Sequence, residues 1–409
     1  MNCRFCKEEL KNVFIDLINS PASNSFLTKE ELNEPETFYP LKVYTCANCF
    51  LVQVDEYKKS DAIFDSNYAY FSSYSTSWLA HAKQYTDMMT ERFGYNEDSL
   101  IIEVASNDGY LLQYFKEKNI PVMGIEPTAN TAEVAIGKGI KTVIQFFSAE
   151  LADNFANDWN VKADLLLGNN VLAHVPDIMD FVAGIKIILK DTGVVTMEFP
   201  HLMQLIDNSQ FDTIYHEHFS YLSFYTVQQI FASQGLELFD VEEIPTHGGS
   251  LRIYAKHAAD DSKTVTENVA ALLKKEMDKG MATLAYYDNF QQKVLKVKLN
   301  LTDFLIQQKR AGKKVAAYGA AAKGNTLLNY CGIKNDLIDF VVDANPHKQD
   351  KFLPASHIPG VNEQYLKDAK PDFVIILPWN LKDEITAQLN YIKEWGGQFV
   401  IPIPELQIL

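Results

Sequence analysis

Two pairs of cysteines, Cys3 with Cys6 and Cys46 with Cys49, each spaced C-x2-C, constrain this chain more than any other feature. A C-x2-C knuckle on a tight turn presents two thiolates to one ion, and two knuckles complete the closed tetrahedral set of a structural zinc site. The residues between them must therefore fold back on themselves. A redox-active dithiol would use one pair and leave the other unexplained. Zinc is the expected metal, in a structural role because no ligand position remains for water. Five cysteines in 409 residues are too few for a disulfide framework, as expected in a reducing compartment.

The chain is longer than one hydrophobic core usually supports, so two or three domains are expected. Fifty-three acidic against 37 basic side chains leave a formal charge of -16, which repels phosphate backbones and anionic lipid surfaces. Neither nucleic acid nor a membrane is an expected partner. No apolar run is long enough to span a bilayer, and MNCRFCKEEL lacks the apolar stretch of a secretory signal, so a cytoplasmic location is expected.

An aromatic, hydroxyl-rich stretch, SNYAYFSSYSTSW, precedes a helical pattern and reads as a packed connector or a lid. From Leu100 onward, strand-turn-helix units succeed one another through IIEVASNDG, IPVMGIEP and IKTVIQFFS, with ADLLLGNN and GVVTMEFP adding buried strands and THGGSLRIYAKH a closing antiparallel one. That succession predicts a doubly wound, mostly parallel α/β sheet whose ligands bind beyond the carboxyl ends of the strands. Phe290, Val294, Val297, Leu301 and Phe304 then recur at helical spacing within a long pattern that Gly280 divides. VAAYGAAAKGN, IDFVVDANP and PDFVIILP repeat the strand rhythm as a second, smaller α/β unit. The expected division is a zinc-binding domain over residues 1–75, a central domain over 76–258, and a helical linker with a Rossmann-like domain over 259–409.

After the strand IIEVA, the turn SNDG stands where a dinucleotide fold carries G-x-G-x-x-G. With Gly109 as its one glycine it suits a nucleoside with a compact charged tail better than a pyrophosphate. Ala105, Ser106, Asn107 and Gly109 are candidates for cofactor contact, with Glu103 orienting the tail. Glu126, in GIEP, stands where an acid accepts hydrogen bonds from both ribose hydroxyls, although an acid there often only caps a helix. Turn and acid together point to S-adenosylmethionine, with Phe147 and Ser148 against the adenine and Asn169 and Asn170 at the methionine end.

Residues 215–218 read YHEH, with few basic neighbours to pair with. In order along the chain, the cysteine knuckles, EVASNDG, GIEP, GNNVLAHVPD, YHEHFSY, HGGSLR and YGAAAKGN resemble the zinc-containing sugar C-methyltransferase family over essentially the whole length. The resemblance implies an N-terminal zinc-binding domain, a central class I methyltransferase domain using S-adenosylmethionine, and a C-terminal Rossmann-like domain. It implies a nucleotide-linked 4-keto-deoxysugar as substrate, held between the last two. It also implies acid/base roles for Tyr70, His174, Tyr215, Glu217 and His218.

The chemistry suits these residue types. A carbon beside a ketone becomes nucleophilic only after losing a proton, and an imidazole is well matched to that task; His218 is the candidate base. Donors aimed at the ketone oxygen stabilise the oxyanion, a role open to Tyr215 or His174, while Glu217 holds a sugar hydroxyl or orients an imidazole. Two other readings stand beside this one. If the segment is extended, His216 and His218 share a side and a metal; or the cluster is a buried polar network without chemistry. In the last domain, Lys323, Gly324 and Asn325 open a helix, where backbone donors and a lysine suit a diphosphate. Close packing of small residues is the competing reason. Asp343 after the next strand suits a nucleotide ribose, and Arg252 of HGGSLR is a further substrate candidate. The expectation is a monomer or small homo-oligomer that methylates C3 of a keto sugar, most simply dTDP-linked. A C5-methyltransferase, an epimerase with the same base and a zinc-bearing scaffold are the alternatives.

Overall fold

In the computed structural model, which describes residues 1–59 and 71–409, the strands follow the order of the sequence patterns. The N-terminal strands are β1 (Asn12–Ser20), β2 (Tyr39–Thr45) and β3 (Val52–Val54). The central ones are β4 (Ile101–Val104), β5 (Val122–Ile125), β6 (Lys141–Val143), β7 (Ala163–Asn169), β8 (Leu189–Pro200), β9 (Ser220–Tyr221), β10 (Leu236–Ile244) and β11 (Ser250–His257). The C-terminal ones are β12 (Val315–Tyr318), β13 (Val341–Val342), β14 (Gly360–Val361), β15 (Phe373–Ile376), β16 (Gln398–Ile401) and β17 (Gln407–Ile408).

The central sheet runs β6-β5-β4-β7-β8-β11-β10. It is parallel from β6 to β8, and β11 lies antiparallel to both β8 and β10. All four residues of β4 are buried, as a parallel strand covered on both faces requires. Strand order reverses between β4 and β7, so a crevice opens beyond their carboxyl ends. The C-terminal sheet, β14-β13-β12-β15-β16-β17, repeats that reversal between β12 and β15. The segment HGGSLR does not close the sheet: β11 is interior and β10 takes the edge, because seven of the eight residues of β11 are buried.

Helix ends follow their local signals. Ser75 accepts a hydrogen bond from the Trp78 amide to open the helix Thr76–Phe93, and Gly94 closes it with φ +69°. Gly280, at φ +85°, separates the helices Glu267–Asp278 and Phe290–Arg310, and Phe290, Val294, Val297, Leu301 and Phe304 are buried along the second.

The N-terminal sheet has order β1-β2-β3-β9, so its last strand comes from the chain just after YHEH. This unit has no private core. Phe14, Ile15, Leu17, Leu41 and Val43 join the C-terminal core, whereas Cys3, Leu10, Cys46, Cys49 and Leu51 join the central one. A segment this short cannot bury enough apolar surface by itself. Among the described residues no helix is long and apolar enough to cross a membrane.

Candidate active site

The two knuckles meet. Cys3 Sγ lies 3.5 Å from Cys49 Sγ and Cys6 Sγ 3.4 Å from Cys46 Sγ, and all four sulfurs fall within 4.8 Å of one another. Thiolates about 2.3 Å from a tetrahedral zinc stand about 3.8 Å apart, so the set fits. Lys7 and Phe50, each just after the second cysteine of its pair, adopt left-handed φ of 64° and 60° to turn the knuckles. Gln53 Nε2 donates to Cys3 Sγ at 3.2 Å and the Asn48 amide to Cys46 Sγ at 3.4 Å, the outer contacts that orient metal ligands. Four thiolates this close repel one another, so the fully ionised set needs the charge of a cation. Among the described residues this is the one cluster able to hold a metal.

A cavity of about 740 Å³ opens at the β4–β7 crevice and reaches the loop 215–218 and the start of the helix Ala322–Cys331. On its first wall, Ala105, Asn107 and Asn170 take left-handed φ of 56°, 49° and 57° just beyond β4 and β7. Such conformations are unusual for residues with a Cβ and gather at binding sites. Glu126 Oε2 accepts from the Asn107 amide at 2.9 Å, and its Oε1 from the Thr128 amide at 2.9 Å. Burial raises its pKa; Oε1 also accepts from the Thr128 hydroxyl, whereas Oε2 keeps a second lone pair for a ribose hydroxyl. Phe147 and Asn169 line the same cavity, and among the described residues the buried Asn170 Oδ1 has no hydrogen-bond partner. An acid for a ribose, an aromatic ring for a base and an open amide oxygen for a charged tail fit S-adenosylmethionine.

A further part of the same cavity lining is made by His174, Tyr215, Glu217 and His218. All three parts of the fold hold it. Residues Val52 and Gln53 of β3 pair with Tyr221 and Ser220 of β9, the Phe219 amide donates to the Ala173 carbonyl at 2.8 Å, and Thr326 Oγ1 donates to the Ile214 carbonyl at 3.0 Å. His218 Nδ1 donates to the Thr213 carbonyl at 2.8 Å. A carbonyl only accepts, so Nδ1 carries the proton and Nε2 the lone pair. The Tyr215 and His174 rings lie 4.0 and 4.6 Å from that of His218, centre to centre. Burial, then the neighbouring His174, holds the His218 pKa well below the usual imidazole value, and burial brings His174 down to about 4. Both rings are neutral near pH 7. Burial lifts Glu217 to about 6, and its Oε1 accepts from Asn24 Nδ2 at 2.8 Å.

His216 does not share a metal with His218. Its Nε2 donates to the Pro40 carbonyl at 3.1 Å, and the rings of Tyr39 and Tyr57 flank it. Lys323 lines the cavity, with Nζ 2.7 Å from Asn380 Oδ1 and over the Trp379 ring.

Several sequence candidates lie off the cavity wall. Arg252 spends its charge in a buried network, Nη1 on Glu242 Oε2 at 2.9 Å and Nη2 on Glu198 Oε2 at 3.2 Å. Asn325 Nδ2 instead ties the Ser23 carbonyl at 2.6 Å, and Asp343 staples two turns through the amides of Ala320 and Asn345. Glu103 is fully buried beneath the turn, and burial raises its pKa well above the ordinary range. Ser106 is buried against Gly124, where an added Cβ would stand 2.3 Å from its Oγ. Gly109 permits close packing rather than a ligand cradle, since a Cβ there would meet Ile140 Cδ1 at 2.5 Å. Ser148 caps the helix Ala149–Asp153. Tyr70 lies outside the described residues.

Other cavity residues escaped the sequence reading. His247, five positions before Arg252, lines the wall and accepts on Nε2 from Asn170 Nδ2 at 2.9 Å. Trp78 packs beside it with ring centres 5.3 Å apart. The glycine pair after His247 was a signal for a left-handed turn, and φ there is 55°. Asn24 and Lys348 had no local signal.

Three family models match: "Putative zinc binding domain" over residues 3–64, "Methyltransferase domain" over 79–241 and "C-methyltransferase C-terminal domain" over 245–404. C-methyltransferase NovU of Streptomyces niveus is 33% identical over 407 residues, spanning 100% of this chain and 96% of its own. Among solved structures, the PH0226 protein of Pyrococcus horikoshii aligns with TM-score 0.37 at 10% identity, over 46% of this chain and 95% of its own. A SAM-dependent methyltransferase of Anabaena variabilis aligns with TM-score 0.36 at 14% identity, over 44% and 86% respectively. These two likenesses are too slight to bear on the chemistry.

Proposed function

The chain belongs to the S-adenosylmethionine-dependent C-methyltransferase family with an N-terminal zinc-binding domain, and from that premise we propose that it methylates a carbon beside the ketone of a nucleotide-linked 4-keto-deoxysugar. C3 of a dTDP-linked sugar is the simplest choice. One observation carries the reading: a single cavity is lined both by the nucleoside-type residues Ala105, Asn107 and Glu126 and by a neutral imidazole, His218, whose Nδ1 is bound to the main chain and whose Nε2 carries the lone pair.

S-adenosylmethionine supplies an electrophilic sulfonium methyl. Everything else falls to the chain. His218 Nε2 removes the proton next to the ketone, and the charge it gains is steadied by the Thr213 carbonyl on Nδ1. The Tyr215 hydroxyl or the His174 ring donates to the growing oxyanion. Glu217 holds a sugar hydroxyl with help from Asn24. Lys323, Lys348 and the amide end of the helix Ala322–Cys331 lie on the cavity and suit the diphosphate.

The test is incubation with methyl-labelled S-adenosylmethionine and a panel of nucleoside diphosphate keto-hexoses, read by mass spectrometry. The expected product is the sugar nucleotide carrying the labelled methyl, with S-adenosylhomocysteine released. An unlabelled but inverted sugar would instead mean epimerisation. No labelled product across the panel overturns the substrate class.

A further inference from the structure

We propose that Arg4 is a positioning residue, set by the zinc knuckle, that holds the two imidazole-bearing loops of the cavity in register. Arg4 lies between Cys3 and Cys6 and is not itself on the cavity wall. Its Nη1 donates to the carbonyl of Pro176 at 2.9 Å, two residues beyond His174, and its Nη2 donates to the carbonyl of Val54 at the end of β3. The guanidinium stands 5.4 Å from the centre of the Phe219 ring, the residue after His218.

These contacts close a ring. The Val54 amide donates to the Phe219 carbonyl at 3.1 Å, and the Phe219 amide to the Ala173 carbonyl at 2.8 Å. One planar fork therefore joins β3, the loop of His174 and the loop of His218. Its backbone is tied to the metal site twice over: the Arg4 amide donates to Gln53 Oε1 at 2.9 Å, while Gln53 Nε2 donates to Cys3 Sγ at 3.2 Å. With zinc holding Cys3 and Cys6, the residue between them has little freedom.

The residue type matters. Arginine presents its donors in a rigid fork that reaches two carbonyls and still lies against an aromatic ring, whereas lysine offers a single point charge. Removing the fork leaves two carbonyls without their donor. Catalysis between oriented groups is sensitive to such shifts, a displacement of about 1 Å costing on the order of 100-fold in rate. The cofactor wall is not part of the ring.

The test compares zinc-loaded Arg4→Met and Arg4→Lys with the wild type by hydrogen–deuterium exchange and steady-state kinetics. In Arg4→Met, exchange quickens over residues 171–178 and 213–221 but not over 101–110, at unchanged zinc content, and stripping zinc from the wild type quickens exchange over the same two loops among others. kcat falls on the order of 100-fold while KM for S-adenosylmethionine stays within about twofold; Arg4→Lys lies between. If Arg4→Met does not fold, Arg4→Lys carries the comparison. Unchanged protection of both loops overturns the proposal, as does protection lost throughout the chain with kcat and KM failing together. The kinetic half rests on the function proposed above. If the wild type turns over no keto sugar, that reading fails, and the exchange half still decides the role of Arg4.

Discussion

The main chain decides what His218 can do. Its Nδ1 is committed to the Thr213 carbonyl, so Nε2 is the atom left to serve as the proposed base, and burial keeps that ring neutral below the ordinary histidine range. A base with a depressed pKa stays unprotonated as pH falls through 6.5, so the acid limb of kcat/KM should lie below pH 6.5. An acid limb at or above the ordinary histidine value counts against this assignment. His218→Asn should lower kcat by roughly 10²- to 10⁴-fold with the affinity for S-adenosylmethionine, measured by calorimetry, unchanged. The presence of an imidazole at 218 was legible from YHEH; its tautomer was not, because the acceptor is a backbone carbonyl that carries no sequence signal. The same limit explains Arg252. Its partner Glu198 lies on the neighbouring strand β8, where the two residues stand opposite each other, and no local spacing reveals such a pairing.

At the scale of elements, the turn between β10 and β11 shows how a short motif aims a side chain. His247, Gly248 and Gly249 all have positive φ, of 55°, 93° and 115°, which swings His247 into the cavity while Arg252 stays in the sheet. Gly248 has a second reason to be glycine: a Cβ there would meet Trp379 Cη2 at 2.5 Å and Gln210 Nε2 at 2.9 Å. Gly248→Ala combines left-handed strain of about 1–3 kcal/mol with that collision. Urea denaturation should show a loss of about 2 kcal/mol or more; a variant as stable as the wild type would mean that the turn relaxes freely. The strand-turn-helix succession was legible because each unit writes its own periodicity and turn. The interior place of β11 was not, since strand order is decided by pairing between distant segments.

For the whole molecule, the zinc-bearing unit is a joint rather than an appendage. Its strands complete the C-terminal core, its knuckles pack in the central core, and β3 pairs with β9 directly after the candidate base. Zinc binding is therefore coupled to the stability of the entire chain. Removal of zinc by a chelator should lower every calorimetric transition, by on the order of 10 °C. A thermogram in which one minor transition shifts and the rest stay would show the unit to be independent.

The sequence by itself determined what short range can encode: four thiols at knuckle spacing, the run of strands and helices, and the residues that follow each strand, among them Asn107, Glu126, Asn170 and His174. Only the tertiary structure decided which of these face the cavity. Glu103, Ser106, Asn325 and Asp343 share the right positions along the chain yet are consumed beneath or beside it. Arg4, His247, Trp78 and Lys348 gain their places from partners far away in sequence. Periodicity and turn chemistry act over a few residues, whereas the choice of partner for a buried charge or a loop is made by packing across the whole chain.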